Sequence, residues 1–275
     1  MIVPCFNSGP LVREAVASLD VDEPLEIVVV DDASTDPATG AVLDQLEAEG
    51  VHVIRQAVNG GVAVARTAGL QATSAPYVLP LDADDLALPA QLTRAADLLD
   101  NDPDAAACVG DYEEFGTHAI IRTVPDRLDP YRLAYTNEYA ITALMRRSVL
   151  EGYGGWTDPS PTARGYEDWD LWMDLAQDEL RIVHVGGTLY RRRMHAPGLD
   201  VKQRAHHAEL YRALRDTHPR LFAQVREHRR RTDLSTPRTL LYPVLYGERR
   251  LINHVRFVKP LLDRAGVWTL ARRQR

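Results

Sequence analysis

Tyr77-Val78-Leu79-Pro80-Leu81, followed at once by Asp82-Ala83-Asp84-Asp85, is the stretch on which the reading of this chain turns. The mostly apolar run reads as a buried strand. A buried strand ending in three carboxylates is electrostatically unfavourable, because like charges at this spacing raise one another's pKa and resist ionising together. A divalent cation removes that penalty. Hard ions such as Mg²⁺ and Mn²⁺ favour carboxylate oxygen and keep water or phosphate in their remaining positions. Asp-x-Asp at the carboxyl end of a strand therefore points to a metal that holds a phosphorylated ligand. The competing reading is a loop turn or a helix N-cap, with Asp85 as the cap ahead of Leu86-Ala87-Leu88-Pro89.

Working outward, the first half alternates strand and helix signals. Ile2-Val3-Pro4 reads as a strand end with almost nothing before it, which predicts a shortened first strand. Gly9 to Leu19 has helical spacing, with Leu11, Val12, Ala15, Val16 and Leu19 on one side. Glu26 to Val30 is a β-branched run of the kind buried on both faces of a parallel sheet. Helices are predicted over 39–49, 61–73 and 89–99, and strands over 51–55 and 77–81. This alternation predicts an α/β fold with a doubly wound, mostly parallel sheet. Ligands of such sheets bind beyond the carboxyl ends of the strands. Three of those ends carry polar segments: 4–9, 31–36 and 82–85. Their acids are expected to converge on one edge.

The second half is less regular. Strands are expected over 106–112, 119–123 and 181–190, with the basic run Arg191-Arg192-Arg193-Met194-His195 after the last. A Gly-rich turn spans Gly152-Tyr153-Gly154-Gly155-Trp156, and a helix starts within Gly165-Tyr166-Glu167-Asp168-Trp169. From Val201 the pattern is helical, with breaks at Pro219, Pro237, Pro243 and Pro260.

The chain has 275 residues and 45% hydrophobic content, enough for one large α/β domain or a domain with a long extension. Two cysteines, Cys5 and Cys108, are far apart, which argues for small buried thiols in a reducing compartment rather than a disulfide framework. No secretory signal or membrane span is visible, so a cytoplasmic location is expected. Residues 224–275 hold thirteen Arg or Lys and four Asp or Glu, a surplus of +9 against −7 for the whole chain, so the remainder carries −16. A basic tail on an acidic body points either to an anionic surface or to a solvated helical face.

Five separated segments, each weak alone, occur in an order that is specific. They are Pro4-Cys5-Phe6-Asn7 with Val30-Asp31-Asp32-Ala33-Ser34-Thr35-Asp36, then Asn59-Gly60-Gly61-Val62-Ala63-Val64-Ala65-Arg66, then Leu81-Asp82-Ala83-Asp84-Asp85 with Pro89, then Gly165-Tyr166-Glu167-Asp168-Trp169-Asp170-Leu171. On these the chain resembles the inverting family 2 glycosyltransferases with the GT-A fold, over roughly its first 195 residues. The resemblance implies a GT-A domain over 1–200, with a nucleotide-sugar half at about 1–110 and an acceptor half at about 111–200. Residues 201–275 are then a helical basic extension.

The resemblance also implies roles. Asp32 accepts from the uracil imide, and Pro4 and Asn7 shape the loop against the base. Asp31 can instead cap the turn, and Asp36 reads more strongly as a helix start. Arg66 reaches the nucleotide or pairs with a strand-end Asp; Thr67 stands where the family often has Asn. Asp84 is the expected direct ligand of Mn²⁺ or Mg²⁺, Asp82 serves the ribose or a metal-bound water, and Asp85 is structural. His195, or an arginine of the run before it, meets the metal or diphosphate. Asp168 is the base that inverting transfer requires, and Glu167 binds acceptor or orients the pair. Trp169 is expected in the acceptor wall with Tyr166.

The implied function is transfer from a nucleotide-sugar, UDP ahead of dTDP or GDP, to a glycan or lipid-linked saccharide. Residues 224–275 would touch the inner membrane face peripherally; no nucleic-acid partner is expected. The alternatives are a sugar-nucleotide nucleotidyltransferase, which would need a Gly-rich loop with Lys or Arg near the N-terminus, and a non-catalytic nucleotide- or carbohydrate-binding module.

Overall fold

The computed structural model describes residues 1–21, 24–195 and 206–249, so the predicted break at Pro260 and much of the basic tail lie outside the described residues. In chain order the elements begin β1 (Ile2–Cys5), α1 (Leu11–Ala17), β2 (Val28–Asp31), α2 (Pro37–Ala48), β3 (His52–Arg55), α3 (Val62–Gln71) and β4 (Tyr77–Val78). They continue with β5 (Leu86–Ala87), α4 (Pro89–Asn101), β6 (Ala105–Gly116), β7 (Ile120–Arg122), α5 (Pro130–Leu133), β8 (Leu144–Arg146) and α6 (Arg147–Gly152). The last are α7 (Glu167–Gln177), β9 (Arg181–Met194), α8 (His207–Thr217), α9 (Pro219–Ala223), α10 (Val225–Arg231) and α11 (Thr236–Tyr246).

Two compact units arise. Of the described residues, the first comprises those within 1–127, 140–157 and 181–195, and the second those within 128–139, 158–180 and 206–249. In the first unit, β1, β2 and β3 form a parallel sheet in that order, with Ile2 opposite Val28 and Val28 opposite His52. Every residue of β1 and β2 is buried, as parallel strands covered on both faces must be. Leu43 and Leu46 from α2, Val12 and Ala15 from α1, and Leu79 and Leu81 join them in one core.

The decisive stretch is divided. Only Tyr77–Val78 is regular strand, paired antiparallel with β8. Leu79 to Leu81 then runs parallel to β1: Ile2 N–H donates to the Leu79 carbonyl at 3.0 Å, and Leu81 N–H to the Ile2 carbonyl at 2.9 Å. Pro80, opposite Ile2, leaves both of these bonds intact but has no N–H to give on its other edge, so the pairing with β8 ends before it. The segment thereby links the parallel sheet to a mixed one of order β4-β8-β6-β9-β5, with β7 on β6. In that sheet β6 and β9 pair in parallel, and β9 runs past the predicted end at Tyr190 to Met194 opposite Gly116.

In the second unit, α5 and α7 pack together, α9 contacts α7, and α10 contacts α5. Trp172 and Tyr131 are buried at its centre. Pro219 and Pro237 each stand in the first turn of a helix, where a missing N–H costs nothing. Pro243 does not break the chain as predicted but lies inside α11. The carbonyl its ring leaves without a helix donor is that of Thr239, and the Tyr131 hydroxyl supplies the bond at 2.5 Å. Among the described residues no helix is long and apolar enough to cross a membrane.

Candidate active site

The first unit gathers the expected donor-side residues at the strand ends. Pro4 is buried in β1. Asn7 follows in the left-handed region at φ 53°. Its Oδ1 accepts from the backbone N–H of Thr35 at 2.8 Å and of Asp36 at 2.9 Å. Asn7 therefore ties the loop after β1 to the loop after β2. Asp31 accepts from Ser34 N–H, and Asp36 caps α2 by accepting from Ala38 and Thr39, the local roles weighed for both.

Asp32 is 4% exposed. Its Oδ1 accepts from Gly60 N–H at 2.6 Å and its Oδ2 from Gly61 N–H at 2.8 Å. Gly61 has φ 92°, a conformation that strains any side-chain-bearing residue. The glycine pair thus lets the start of α3 close on the Asp32 carboxylate. A carboxylate offers about four lone-pair sites, so acceptor capacity remains beyond these two bonds.

Arg66 on α3 is 2% exposed, and its Nη2 donates to Asp82 Oδ1 at 2.7 Å. Of its two expected roles it takes the pairing with a strand-end Asp, while the Asp82 side chain stays 41% exposed. The hydroxyl of neighbouring Thr67 accepts from Trp156 N–H at 2.9 Å and donates to the Trp156 carbonyl at 3.0 Å. Gly155 beside it has φ 92°, and a Cβ there would lie 2.6 Å from Thr67 Oγ1. Thr67 therefore fastens the Gly-rich turn to α3.

Asp84 and His195 meet: Oδ2 and Nε2 are 2.7 Å apart, with both side chains partly open to solvent. Asp85 is 3% exposed and accepts from Arg193 N–H at 2.8 Å. The Arg193 side chain donates to the Asp84 carbonyl at 2.9 Å and to Glu14 at 2.6 Å. The extended end of β9 therefore buckles the acidic loop in place, and Asp85 is structural through this strand. Burial, then the charges of Asp82 and Asp84, push the Asp85 carboxyl well above the usual range. Burial opposes the charge of Arg192, yet Tyr190, Tyr112, Asp85 and Asp82 around it raise its pKa overall.

Among the described residues no group of three or more His, Cys, Asp or Glu could hold a metal ion. Asp84 and His195 supply two donors, one oxygen and one nitrogen. The carboxylate suits Mn²⁺ or Mg²⁺, with phosphate oxygen and water left to fill the remaining positions; the imidazole nitrogen is a poorer donor for Mg²⁺ than for Mn²⁺.

The second unit carries Glu167, Asp168 and Trp169, at the start of α7. Tyr166 precedes the helix in the left-handed conformation, φ 68°. Its hydroxyl lies 2.7 Å from His207 Nδ1, and His207 Nε2 lies 3.2 Å from the Gly247 carbonyl. A carbonyl only accepts, so Nε2 is assigned the proton and Nδ1 accepts from the hydroxyl. Glu167 is buried and Asp168 half-buried, at a helix N-terminus whose dipole favours negative charge. Asp168 Oδ1 accepts from Trp169 N–H at 2.7 Å, and Oδ2 from the Asn137 side-chain amide at 2.9 Å. Trp169 is 4% exposed. Its indole N–H donates to the Leu133 carbonyl at 2.8 Å, and its ring packs between Tyr166 and Tyr211. Little of the ring face is open in this structure, where Trp169 packs among these neighbours.

Residues 1–154 match the family model described as glycosyl transferase family 2. The chain belongs to glycosyl transferase family 2. Curated relatives include the putative teichuronic acid biosynthesis glycosyltransferase TuaG of Bacillus subtilis, 39% identical over 31% of this chain and 35% of TuaG. Succinoglycan biosynthesis protein ExoU of Rhizobium meliloti is 29% identical over 68% of this chain and 60% of ExoU. The chain spans less than two thirds of the length of these relatives. Among solved structures, TarS of S. aureus with UDP-GlcNAc superposes with TM-score 0.62 at 19% identity, covering 97% of this chain and 77% of that one. Mannosyltransferase PcManGT from Pyrobaculum calidifontis, with GDP-Man and Mn²⁺, gives TM-score 0.58 at 19% identity, covering 97% and 82%. These likenesses show the fold, the expected GT-A arrangement.

In this member of glycosyl transferase family 2, sequence reasoning missed the bond from Asn137 to Asp168 and the loop-holding role of Arg193. Asn137 lies in no periodic pattern and gives no local signal. The arginine run was noticed, but only its strand pairing shows which arginine bonds the acidic loop.

Proposed function

We propose that this chain is a metal-dependent, inverting glycosyltransferase that moves a sugar from a UDP-sugar to a glycan or lipid-linked saccharide. The 2.7 Å approach of His195 to Asp84, across a long stretch of sequence, is the observation that carries the reading. Asp84 and His195 would hold Mn²⁺ or Mg²⁺, which neutralises charge on the departing diphosphate. Asp32 keeps lone pairs for a base N–H, and the open carboxylate of Asp82, steadied by Arg66, is suited to a ribose hydroxyl. Asp168 takes the proton from the acceptor hydroxyl, and Glu167 orients the acceptor. The UDP donor is supported by the UDP-GlcNAc bound to TarS; the GDP-Man of PcManGT makes a GDP-sugar the second choice. A glycan product is supported by the polysaccharide pathways named for TuaG and ExoU. Exposed Arg226, Arg229, Arg230 and Arg231 on α10 suit contact with anionic phospholipid, each cation contributing about 1 kcal/mol.

The test is a thermal-shift screen of UDP, GDP and dTDP with and without Mn²⁺. Stabilisation by UDP that depends on Mn²⁺ is expected. Equal stabilisation without metal, or none by any nucleotide, contradicts the reading.

A further inference from the structure

Asn137 stands outside every motif of the chain, yet its side chain reaches the proposed base. The structure assigns Asn137 as a positioning residue for Asp168, and this inference rests on the reading of Asp168 as the base. The amide donates from Nδ2 to Asp168 Oδ2 at 2.9 Å. Its orientation is defined by its other end, where Oδ1 accepts from Tyr139 N–H at 3.0 Å. Turned over, the amide would present NH₂ to an N–H and oxygen to a carboxylate, two repulsions in place of two bonds.

The loop that carries Asn137 is itself held firmly. Neighbouring Glu138 pairs with Arg132 at 2.5 Å, both side chains largely buried. Tyr139 packs on Trp172 with ring centroids 5.3 Å apart. Asp129 caps α5 by accepting from Tyr131 and Arg132 N–H and takes the Thr232 hydroxyl at 2.5 Å. A donor mounted on such a base is preorganised.

Two consequences follow for Asp168. The terminal torsion of a carboxylate is soft, and bonds to both oxygens, from Trp169 N–H and from Asn137, fix its plane. A donor to the charged form also favours ionisation, which a base needs. Among the described residues, the acids nearest in sequence work the other way: Glu167 and Asp170 share its helix turn, and Glu138 lies beside Asn137, its charge met by Arg132.

The experiment is ¹³C NMR titration of carboxyl-labelled Asp in the full chain, with the Asp168 signal assigned by its loss in Asp168→Asn. Asn137→Asp is isosteric, keeps an acceptor for Tyr139 N–H, and swaps the donor for a like charge. It should raise the Asp168 midpoint by about 1 pH unit or more, and Asn137→Ala by about half as much. Midpoints within about 0.2 pH unit of wild type in both variants overturn the inference; a purely structural role would leave them so. If Asn137→Ala does not fold, Asn137→Asp alone decides. Nucleotide release from UDP-GlcNAc and GDP-Man with Mn²⁺ is measured alongside. Undiminished release in Asp168→Asn sinks the base assignment, whereas the titration judges the Asn137–Asp168 bond independently.

Discussion

Replacing Asp32 by Asn changes one oxygen to an amide nitrogen and leaves the volume almost unaltered. In the native protein its two oxygens receive Gly60 N–H at 2.6 Å and Gly61 N–H at 2.8 Å, in a side chain almost wholly shielded from water. The Asn oxygen can keep one of these bonds. Its NH₂ must face the other backbone N–H, donor against donor. A hydrogen bond to a charged group contributes about 1.5–3 kcal/mol, and stranding a buried donor costs about 1–3 kcal/mol. The two overlap, so the expected destabilisation is about 2–4 kcal/mol. At about 2–4 °C per kcal/mol for a chain of this size, the melting midpoint should fall by about 4–16 °C. The glycine pair opens α3, which carries Arg66 and Thr67, so UDP affinity should fall with it. Calorimetric melting and UDP titration on the same preparations read both effects. A midpoint within about 1 °C of wild type would refute the idea that Asp32 holds the glycine loop.

Thr67→Val removes a hydroxyl that both accepts from and donates to the Trp156 backbone; urea unfolding should register a loss of about 1–3 kcal/mol, and an unchanged curve would show the turn needs no tether. Glu26 is held down to about 2, chiefly by the Ser74 hydroxyl and N–H, against an ordinary value of 4.5. Its folded pKa is depressed, so its contribution is complete above about 4.5 and disappears as pH falls towards about 2. Glu26→Gln should therefore be less stable than wild type at pH 7, with the difference closing across that window; a gap independent of pH contradicts the assignment. Burial pushes the Cys108 thiol up to about 12 and raises Cys5 as well, so neither should react with a disulfide reagent at about pH 8 until the protein unfolds. Prompt labelling of the native protein would show that these thiols are not buried.

Legibility in the sequence followed the range of the interaction. The buried strand at Val28-Val29-Val30 and the Asp36-Pro37 helix start follow from neighbours a few residues apart, and both could be read directly. The division of 77–81 by Pro80 was half legible: the missing donor is a local fact, but the choice of β1 and β8 as partners is not. The continuation of β9 through three arginines runs against local propensity. It holds because Arg191 finds Glu113, and Arg193 finds Asp85 and Glu14, all remote in sequence. Trp169 shows the same limit from the other side. Its position beside the acidic pair was legible, but its bond to the Leu133 carbonyl, 36 residues away, was not.

The most direct test of the central claim is electron paramagnetic resonance of Mn²⁺ titrated into the protein with UDP present. If Asp84 and His195 hold the cation that grips the diphosphate, the wild type with UDP should quench the free-ion signal beyond what UDP alone does. Asp84→Asn should return that signal to the UDP-only level. Equal Mn²⁺ uptake by wild type and Asp84→Asn would contradict the account.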